Sequence, residues 1–466
     1  MQHLNHFYID GQWVSPSADH DTMPVENPAT GEVIGHLALG RAVDADRAVR
    51  AARGAFARGA LPLADRIALL EAVIAEYDRR ADDIAAAITL EMGAPPAFSR
   101  EAQTWAGKVH LESTLAAAKT FTWEDRQGST VLIREGIGVC ALITPWNWPM
   151  NQIACKVAPA LVSGCTMVLK PSELAPLSAV IFAEICHAVG VPNGVFNLIH
   201  GTGPEVGAAL SAHPQVDMVS FTGSTRAGVA VALAAAPGVK RVAQELGGKS
   251  ANIILPSADL DAAVSAGVAG CFGNAGQSCD APTRMFVPRA QMPQALEIAR
   301  VAAVAIQPAE LGPVISHAQW QRIQSMIEKG VSEGATLVAG GPGLPDGVAR
   351  GHYVRPTVFG DVTPDMTIAR EEIFGPVLAI LPYDTVDEAV SMANDSPYGL
   401  AAYVQGAADE ALAVGKRLQA GQVHLNYPDW DTFAPFGGYK QSGNGREYGA
   451  YGIHDFCEVK ALIGTA

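Results

Sequence analysis

Between residues 138 and 246 short apolar runs alternate with helix-like stretches, without any internal repeat of sequence. The runs are GVCALI (138–143), TMVLK (166–170), VFNLI (195–199), DMVSF (217–221) and RVAQEL (241–246). Alternation of this kind predicts an α/β architecture in which a parallel sheet is wound with helices. Ligands of such sheets sit beyond the carboxyl ends of the strands. Here those ends carry Thr144-Pro145-Trp146-Asn147, Lys170-Pro171-Ser172-Glu173, His200-Gly201-Thr202-Gly203 and Thr222-Gly223-Ser224-Thr225. Four loops therefore converge on one edge.

A second series begins after Gly247-Gly248, with ANIIL, a helix opening at Asp259, the loop 272–284 and the strand RMFVP. A helical stretch at 319–332, the strand FGPVLAILPY, a helix at 386–394 and the strand VHLN extend it into another α/β unit. The domain boundary is expected near Gly248. Ahead of the first series, FYIDGQWV reads as a hairpin about Asp10-Gly11. Apolar residues at helical spacing predict one long helix or two consecutive ones over 64–92, capped by Gly93 and stopped by Pro95-Pro96. The more polar stretch 121–133 reads as a hairpin with Gly128-Ser129 at its turn, outside the main core and without an evident local partner.

Composition excludes several roles. The 466 residues carry a formal charge of −15, which repels nucleic acid and anionic membrane surfaces. Seven cysteines without CxxC or paired Cys/His spacing point to a reducing, cytoplasmic compartment and to no metal. The first residues lack the basic and apolar regions of a signal peptide, and no apolar stretch is long enough to span a membrane.

The chemistry gathers around FGNAGQSCDAPTR (272–284), a loop of small and polar residues expected to expose the thiol of Cys279 rather than build a core. A lone cysteine is also a common buried hydrophobe, so the loop by itself leaves both readings open. PWNWP (145–149) holds Asn147 between aromatics and prolines, either as a turn residue or as a rigid amide donor for a tetrahedral oxyanion. QELGGK (244–249) places Glu245 before two glycines, as a cap or as a mobile base for a water. KPSE sets Lys170 and Glu173 three residues apart, suited to ribose hydroxyls. FTGSTRAG (221–228) is a strand, a glycine turn and a helix whose Ser224 caps it and whose N-terminus attracts a pyrophosphate. EEIFGPV (371–377) offers Glu372 and Phe374 for a second ribose and a flat ring. No stretch is GxGxxG, so these patterns alone predict a nucleotide site of unknown type.

With PWNWP, KPSE, FTGST, QELGGK, GQSC, EEIFGPV and PFGGYKQSG in this order, the sequence resembles the NAD(P)-dependent aldehyde dehydrogenase superfamily over nearly its whole length. The resemblance implies a modified Rossmann cofactor domain (1–117 and 137–247), an α/β catalytic domain (248–445) and a small β oligomerisation element (118–136 and 446–466), in a homodimer or homotetramer. It makes Cys279 the nucleophile, Glu245 the base, and Asn147 with the Cys279 N–H the oxyanion hole. NAD, with NADP also accepted, would be held by Thr144, Pro145, Trp146, Lys170, Ser172, Glu173, Gly203, Phe221, Gly223, Ser224, Leu246, Glu372 and Phe374. Glu173 against the ribose would favour NAD, because a carboxylate repels the extra phosphate of NADP. Trp148, Cys155, Asp280, Trp430 and Phe436 would line the aldehyde tunnel.

The implied reaction turns a small-molecule aldehyde into a carboxylic acid through a thiohemiacetal and a thioester on Cys279. Asp280, together with Asp429 and Asp431 around Trp430, favours a hydrophobic or aromatic tail over an anionic one, unless Arg284 or Lys156 reaches in. The competing readings are a semialdehyde dehydrogenase, a CoA-acylating dehydrogenase, which needs no water-activating base, and a catalytically silent homologue. Intact Cys279, Glu245, Asn147 and Lys170 count against the last.

Overall fold

The computed structural model describes residues 3–17 and 20–465. Met1, Gln2 and Ala466, at the ends of the expected cofactor domain and oligomerisation element, lie outside the described residues. The chain opens with β1 (Phe7–Ile9), β2 (Gln12–Val14), β3 (Asp21–Asn27) and β4 (Glu32–Leu39), and after four helical segments forms β5 (Glu124–Gln127) and β6 (Thr130–Gly136). The alternating region gives β7 (Val139–Ile143), β8 (Thr166–Lys170), β9 (Phe196–Leu198), β10 (Met218–Thr222) and β11 (Arg241–Glu245). Then come β12 (Ala251–Ile254), β13 (Arg284–Pro288), β14 (Thr336–Ala339), β15 (Thr357–Gly360), β16 (Val377–Tyr383), β17 (Ala401–Gln405) and β18 (Gln422–Leu425). The short β19 (Gly443–Asn444) and the terminal β20 (Cys457–Ile463) close the chain.

An eight-stranded sheet has the order β19-β11-β10-β7-β8-β9-β1-β2. Its middle, β7 to β11, is parallel, and antiparallel strands occupy the edges. Alternate side chains of β7 explain why its run is apolar throughout. Cys140 and Leu142 pack into one hydrophobic cluster with the helix Pro149–Ser163, while Val139, Ala141 and Ile143 pack into another with the helix Ala42–Ala57. Both faces are covered, so no position along the strand tolerates a polar group without a partner.

The second sheet, seven-stranded with the order β14-β15-β16-β13-β12-β17-β18, is parallel except at β14. Its largest buried side chains include Phe286 and Phe359. The expected boundary falls between β11 and β12, yet β19 crosses back and pairs with β11 although its residues belong to the expected 248–445 unit. Two residues are too few to show an apolar pattern.

Residues 64–92 form two helices, Leu63–Arg79 and Ala81–Met92, and Gly93 closes the second with φ 74°. The expected hairpin at 121–133 is β5 and β6, and its missing partner is β20, paired antiparallel to β6 from Cys457↔Gly136 to Ile463↔Thr130. The partner lies more than three hundred residues away, beyond what local pattern conveys. No helix among the described residues is long and apolar enough to cross a membrane.

Candidate active site

The two sheets are joined by the short segment between Glu245, the last residue of β11, and Ala251, the first of β12. This linker runs against the cysteine loop. A Cβ on Gly248 would stand 2.2 Å from the carbonyl oxygen of Cys279, so only glycine lets the two backbones approach this closely.

The cysteine loop leaves the helix Leu260–Phe272, whose first turn is capped by Asp259 accepting the Ala262 N–H at 3.1 Å. Asn274 and Ala275 take left-handed φ values of 54° and 55°, a conformation an alanine holds only when its surroundings enforce it. Those surroundings correct the expectation of an open, coreless loop. Asn274, Ala275, Gly276 and Gln277 are all buried, and Cys279 itself is half-buried. The small residues serve close packing as well as access.

Asn147, 4% exposed, donates from Nδ2 to the Gln277 carbonyl at 3.0 Å, and the Trp148 indole N–H donates to Ser278 Oγ at 2.8 Å. Consecutive residues of PWNWP thus grip consecutive residues of the cysteine loop. Burial pushes the Cys279 thiol well above its ordinary pKa, and the nearby Asp280, Glu372 and Glu245 carboxylates add to the shift. Glu245 is 3% exposed, and neither of its carboxylate oxygens has a hydrogen-bond partner among the described residues. Burial raises its pKa well above the usual carboxylate range, with Glu447 raising it further and Lys156 opposing. Lys156, fully buried, pairs with Glu447, whose other oxygen accepts the Cys155 S–H at 3.1 Å. This buried cation behind Glu245 carries no sequence signal, because Lys156 and Glu447 are nearly three hundred residues apart.

On one side of Cys279 lies a cavity of about 510 Å³. Of the residues expected there, it is lined by Pro145, Trp146, Gly223, Ser224, Leu246, Glu372 and Phe374. Trp146 and Phe374 meet edge to face, with centroids 5.4 Å apart. Glu372 accepts the Gly248 N–H at 3.0 Å, and Ser224 Oγ accepts the Ala227 N–H at 3.3 Å, capping the helix Thr225–Ala235. The remaining expected residues stand outside the lining: Thr144, Lys170, Ser172, Glu173, Gly203 and Phe221. Lys170 and Glu173 pair at 2.9 Å at the end of β8, next to β7, and Thr144 donates its N–H to the Lys170 carbonyl. Phe221 lies under Gly223, where a Cβ would meet its ring at 2.6 Å. Gly203 is exposed at the start of a short π-helical turn. Sequence reasoning missed Gln319, Arg322 and Tyr398, which come from the second unit.

On the other side lies a pocket of about 270 Å³, lined by Trp148, Asp280, Trp430 and Phe436 as expected. Its missed residues include Gln152, Tyr403, His424, Tyr427 and Tyr448. Gln152 was within reach of pattern, since it sits one helical turn after Trp148. The Tyr403 hydroxyl donates to the Asp280 carbonyl at 3.2 Å, and its ring stacks on His424 at 4.7 Å. Two expectations need correction. Cys155 does not line the pocket, because its S–H turns to Glu447 behind the wall. Asp429 and Asp431 are exposed and stand outside the lining, because Trp430, although 40% exposed, lays its ring against Trp105 and His110 at the pocket's edge and the flanking acids stay in water. The two cations considered for the pocket are engaged elsewhere: Lys156 with Glu447, and Arg284 with the carbonyls of Lys249, Met392 and Ala393. Among the described residues no lysine or arginine lines this pocket, and Asp280 is its one acid.

A model of the Aldehyde dehydrogenase family matches residues 13–462. A 3-succinoylsemialdehyde-pyridine dehydrogenase from a Pseudomonas species is 52% identical over 474 residues, spanning 100% of this chain and 99% of the relative. Among solved structures, a mutant of aldehyde dehydrogenase C from Pseudomonas syringae complexed with NAD+ and octanal matches with a TM-score of 0.98 at 52% identity, over 100% of this chain and 97% of that one. An aldehyde dehydrogenase of Mycobacterium tuberculosis complexed with NAD+ matches with a TM-score of 0.95 at 40% identity, over 98% of each chain.

Proposed function

The chain belongs to the aldehyde dehydrogenase family, and from that premise we propose that it oxidises aryl or alkyl aldehydes to carboxylic acids with NAD+, using Cys279 as the nucleophile. One observation carries this reading: among the described residues, Cys279 is the one shared by the linings of the two cavities. A thiol at that partition touches an electrophile arriving from one side and delivers it to an acceptor held on the other.

The residues of the larger cavity suit a dinucleotide. The capped helix N-terminus would take the pyrophosphate, and Glu372 with Phe374 would hold the nicotinamide riboside. Lys170 and Glu173 take the adenosine ribose on the neighbouring strand end. When bound, NAD+ supplies the hydride acceptor.

The chain's own groups do the rest. The Cys279 thiolate forms a C–S bond to the aldehyde carbon, and the resulting oxyanion is received by the Asn147 amide and the Cys279 N–H. Collapse restores the C=O bond and expels hydride, leaving a thioester. Glu245 takes a proton from water, which attacks the thioester, breaks the C–S bond and releases the acid. Glu245 thereby favours hydrolysis over transfer to CoA.

Aromatic walls and the lack of a lysine or arginine among the described lining residues favour an aryl or alkyl tail, because burying apolar surface yields about 25 cal/mol per Å² while a carboxylate would face Asp280 without a full counter-charge. The name of one relative joins a pyridine to a semialdehyde, and the complex of another holds octanal. The two large sheets and the β20-β6-β5 sheet support a division into cofactor unit, catalytic unit and β element, with β19 crossing from the second unit to the first sheet. The exposed edge strand β20, with Val459 and Ile463 61% and 82% exposed, is the surface on which another copy pairs to give a dimer or tetramer. Absorbance of reduced cofactor with a panel of benzaldehyde-type, alkyl and ω-carboxy aldehydes tests the function. Turnover highest with the first two supports it; a preference for ω-carboxy substrates overturns the assignment of the tail.

A further inference from the structure

The helical stretch from Pro96 to Thr120 contains a π-helical turn, Ser99–Thr104, between its α-helical parts. A π turn inserts an extra residue and rotates the helix beyond it, and such turns concentrate at functional sites. This one is pinned by three side chains. Thr104 Oγ donates to the Ser99 carbonyl five residues back at 2.8 Å, the Tyr77 hydroxyl donates to the Thr104 carbonyl at 2.8 Å, and the Thr89 hydroxyl donates to Ser99 Oγ at 2.8 Å.

The turn presents Gln103, which is 0% exposed. Its Nε2 donates to the Asn147 carbonyl at 3.0 Å and to Asn274 Oδ1 at 3.1 Å. Asn274 in turn donates to the same Asn147 carbonyl at 2.8 Å and to the Gln277 carbonyl at 3.2 Å. The Asn147 side chain closes the ring through its own bond to Gln277. Asn147 is therefore held at both ends: two donors fix its main chain, and one acceptor occupies one of its two amide hydrogens. The other hydrogen is left for a ligand in the cavity that Asn147 lines with Cys279. Asn274 owes its place in this ring to its left-handed backbone, which the Gln277 side chain secures by donating to the Asn274 carbonyl at 3.1 Å.

We propose that Gln103 is a positioning residue for the oxyanion-binding amide of Asn147, and that the π turn is the device that aims it. The proposal rests on the oxyanion-binding role of Asn147 in the proposed function. Gln103 touches neither ligand nor thiol; it acts by fixing the peptide from which the Asn147 amide projects, while bracing the cysteine loop through Asn274. Misplacing a catalytic donor by an ångström costs up to about 100-fold in rate without removing any reacting group.

The test is a double-mutant cycle on the full chain with Gln103→Leu, which keeps the volume, and Asn147→Ala, read by steady-state kinetics, NAD+ affinity and the isotope effect of an aldehyde deuterated at the carbonyl carbon. Gln103→Leu should lower kcat about 10- to 100-fold with aldehyde KM and NAD+ affinity within about twofold, and raise the isotope effect because collapse of the oxyanion, in which the C–D bond breaks, becomes rate-limiting. Added to Asn147→Ala, it should cost almost nothing further. Gln103→Met, which also lacks the bridging donor and carries no titratable group, should behave like the leucine variant. Additive losses, a loss confined to KM or NAD+ affinity, or an unchanged kcat each overturn the proposal. If Asn147→Ala alone leaves kcat intact, the reading of Asn147 fails and the positioning role fails with it; a slow Asn147→Ala beside an unaffected Gln103→Leu refutes Gln103 alone. Should Gln103→Leu not fold, Thr104→Val, which unpins the turn without touching Gln103, replaces it and must show the same split between kcat and KM.

Discussion

The two cavities that meet at Cys279 are built in opposite ways. On the proposed cofactor side, strand-end loops, the capped helix N-terminus at Ser224 and the closely approached Gly223 and Gly247 are joined in the lining by the side chains of Trp146, Arg322, Glu372 and Phe374. The aldehyde side is made of side chains, with Trp148, Asp280, Tyr403, His424, Trp430 and Tyr448 arriving from separate elements. Loops fixed at strand and helix ends suit a ligand whose shape is fixed, whereas single side chains on separate elements can be revised one residue at a time. The first side is therefore expected to respond to changes in glycine and the second to changes in charge or aromatic surface.

The most severe break in the comparison is at the partition itself. Cys279→Ala should reduce kcat on the order of 10⁶-fold while NAD+ still binds, measured by fluorescence titration of the cofactor; measurable turnover of a few per cent would remove Cys279 as the nucleophile. Glu245→Gln should lower steady turnover about 10²- to 10⁴-fold yet leave a burst of reduced cofactor, because only the hydrolytic half needs the base. A variant without the burst would assign Glu245 an earlier step.

Next in size is the response to pH. Burial and neighbouring carboxylates raise both Cys279 and Glu245, so each stays protonated further up the pH scale than it would in water. Both must lose a proton to act. Activity should accordingly climb as pH rises through neutrality, by about tenfold per unit on the limb governed by one group. The Glu245→Gln burst rate should keep the limb due to Cys279, and a flat profile would deny that the thiol is held protonated.

The smallest effects separate the two sides. Gly247→Ala places a Cβ 2.5 Å from Glu372 Oε2 and should raise KM for NAD+ about tenfold with little change for the aldehyde. Asp280→Asn should do the reverse, leaving NAD+ unaffected and narrowing the gap between aryl and ω-carboxy aldehydes by about tenfold in kcat/KM. If either substitution moves both ligands equally, the cavities are not independent.

The same contrast governs what sequence makes legible. The parallel strands β7 to β11 are readable because burial on both faces leaves unbroken apolar runs, and the cofactor loops are readable with them because they occupy the ends of those runs. Cys279, Glu245 and Asn147 stand in short contiguous motifs, where the chemistry and the backbone it needs lie side by side. Tyr403, His424 and Tyr448 are single side chains on otherwise ordinary elements, and only the fold brings them together. Asp429 and Asp431 mislead for the same reason: adjacency to Trp430 in sequence says nothing about which of the three turns inward. Lys156, Glu447 and Gln103 are less readable still, since a buried ion pair and a π turn depend on partners far away in the chain.

A thiol in the wall between two open chambers also sets how the protein is shielded from damage. An alkylating or oxidising agent has two approaches to Cys279, one through each mouth, and an occupant of either chamber bars only its own. Nucleotide alone leaves the aromatic entrance unguarded, and substrate alone leaves the nucleotide entrance unguarded. On the proposed assignment of the two cavities, full protection of the sulfur is expected only in the ternary complex, so resistance to alkylation should depend on the supply of both ligands together.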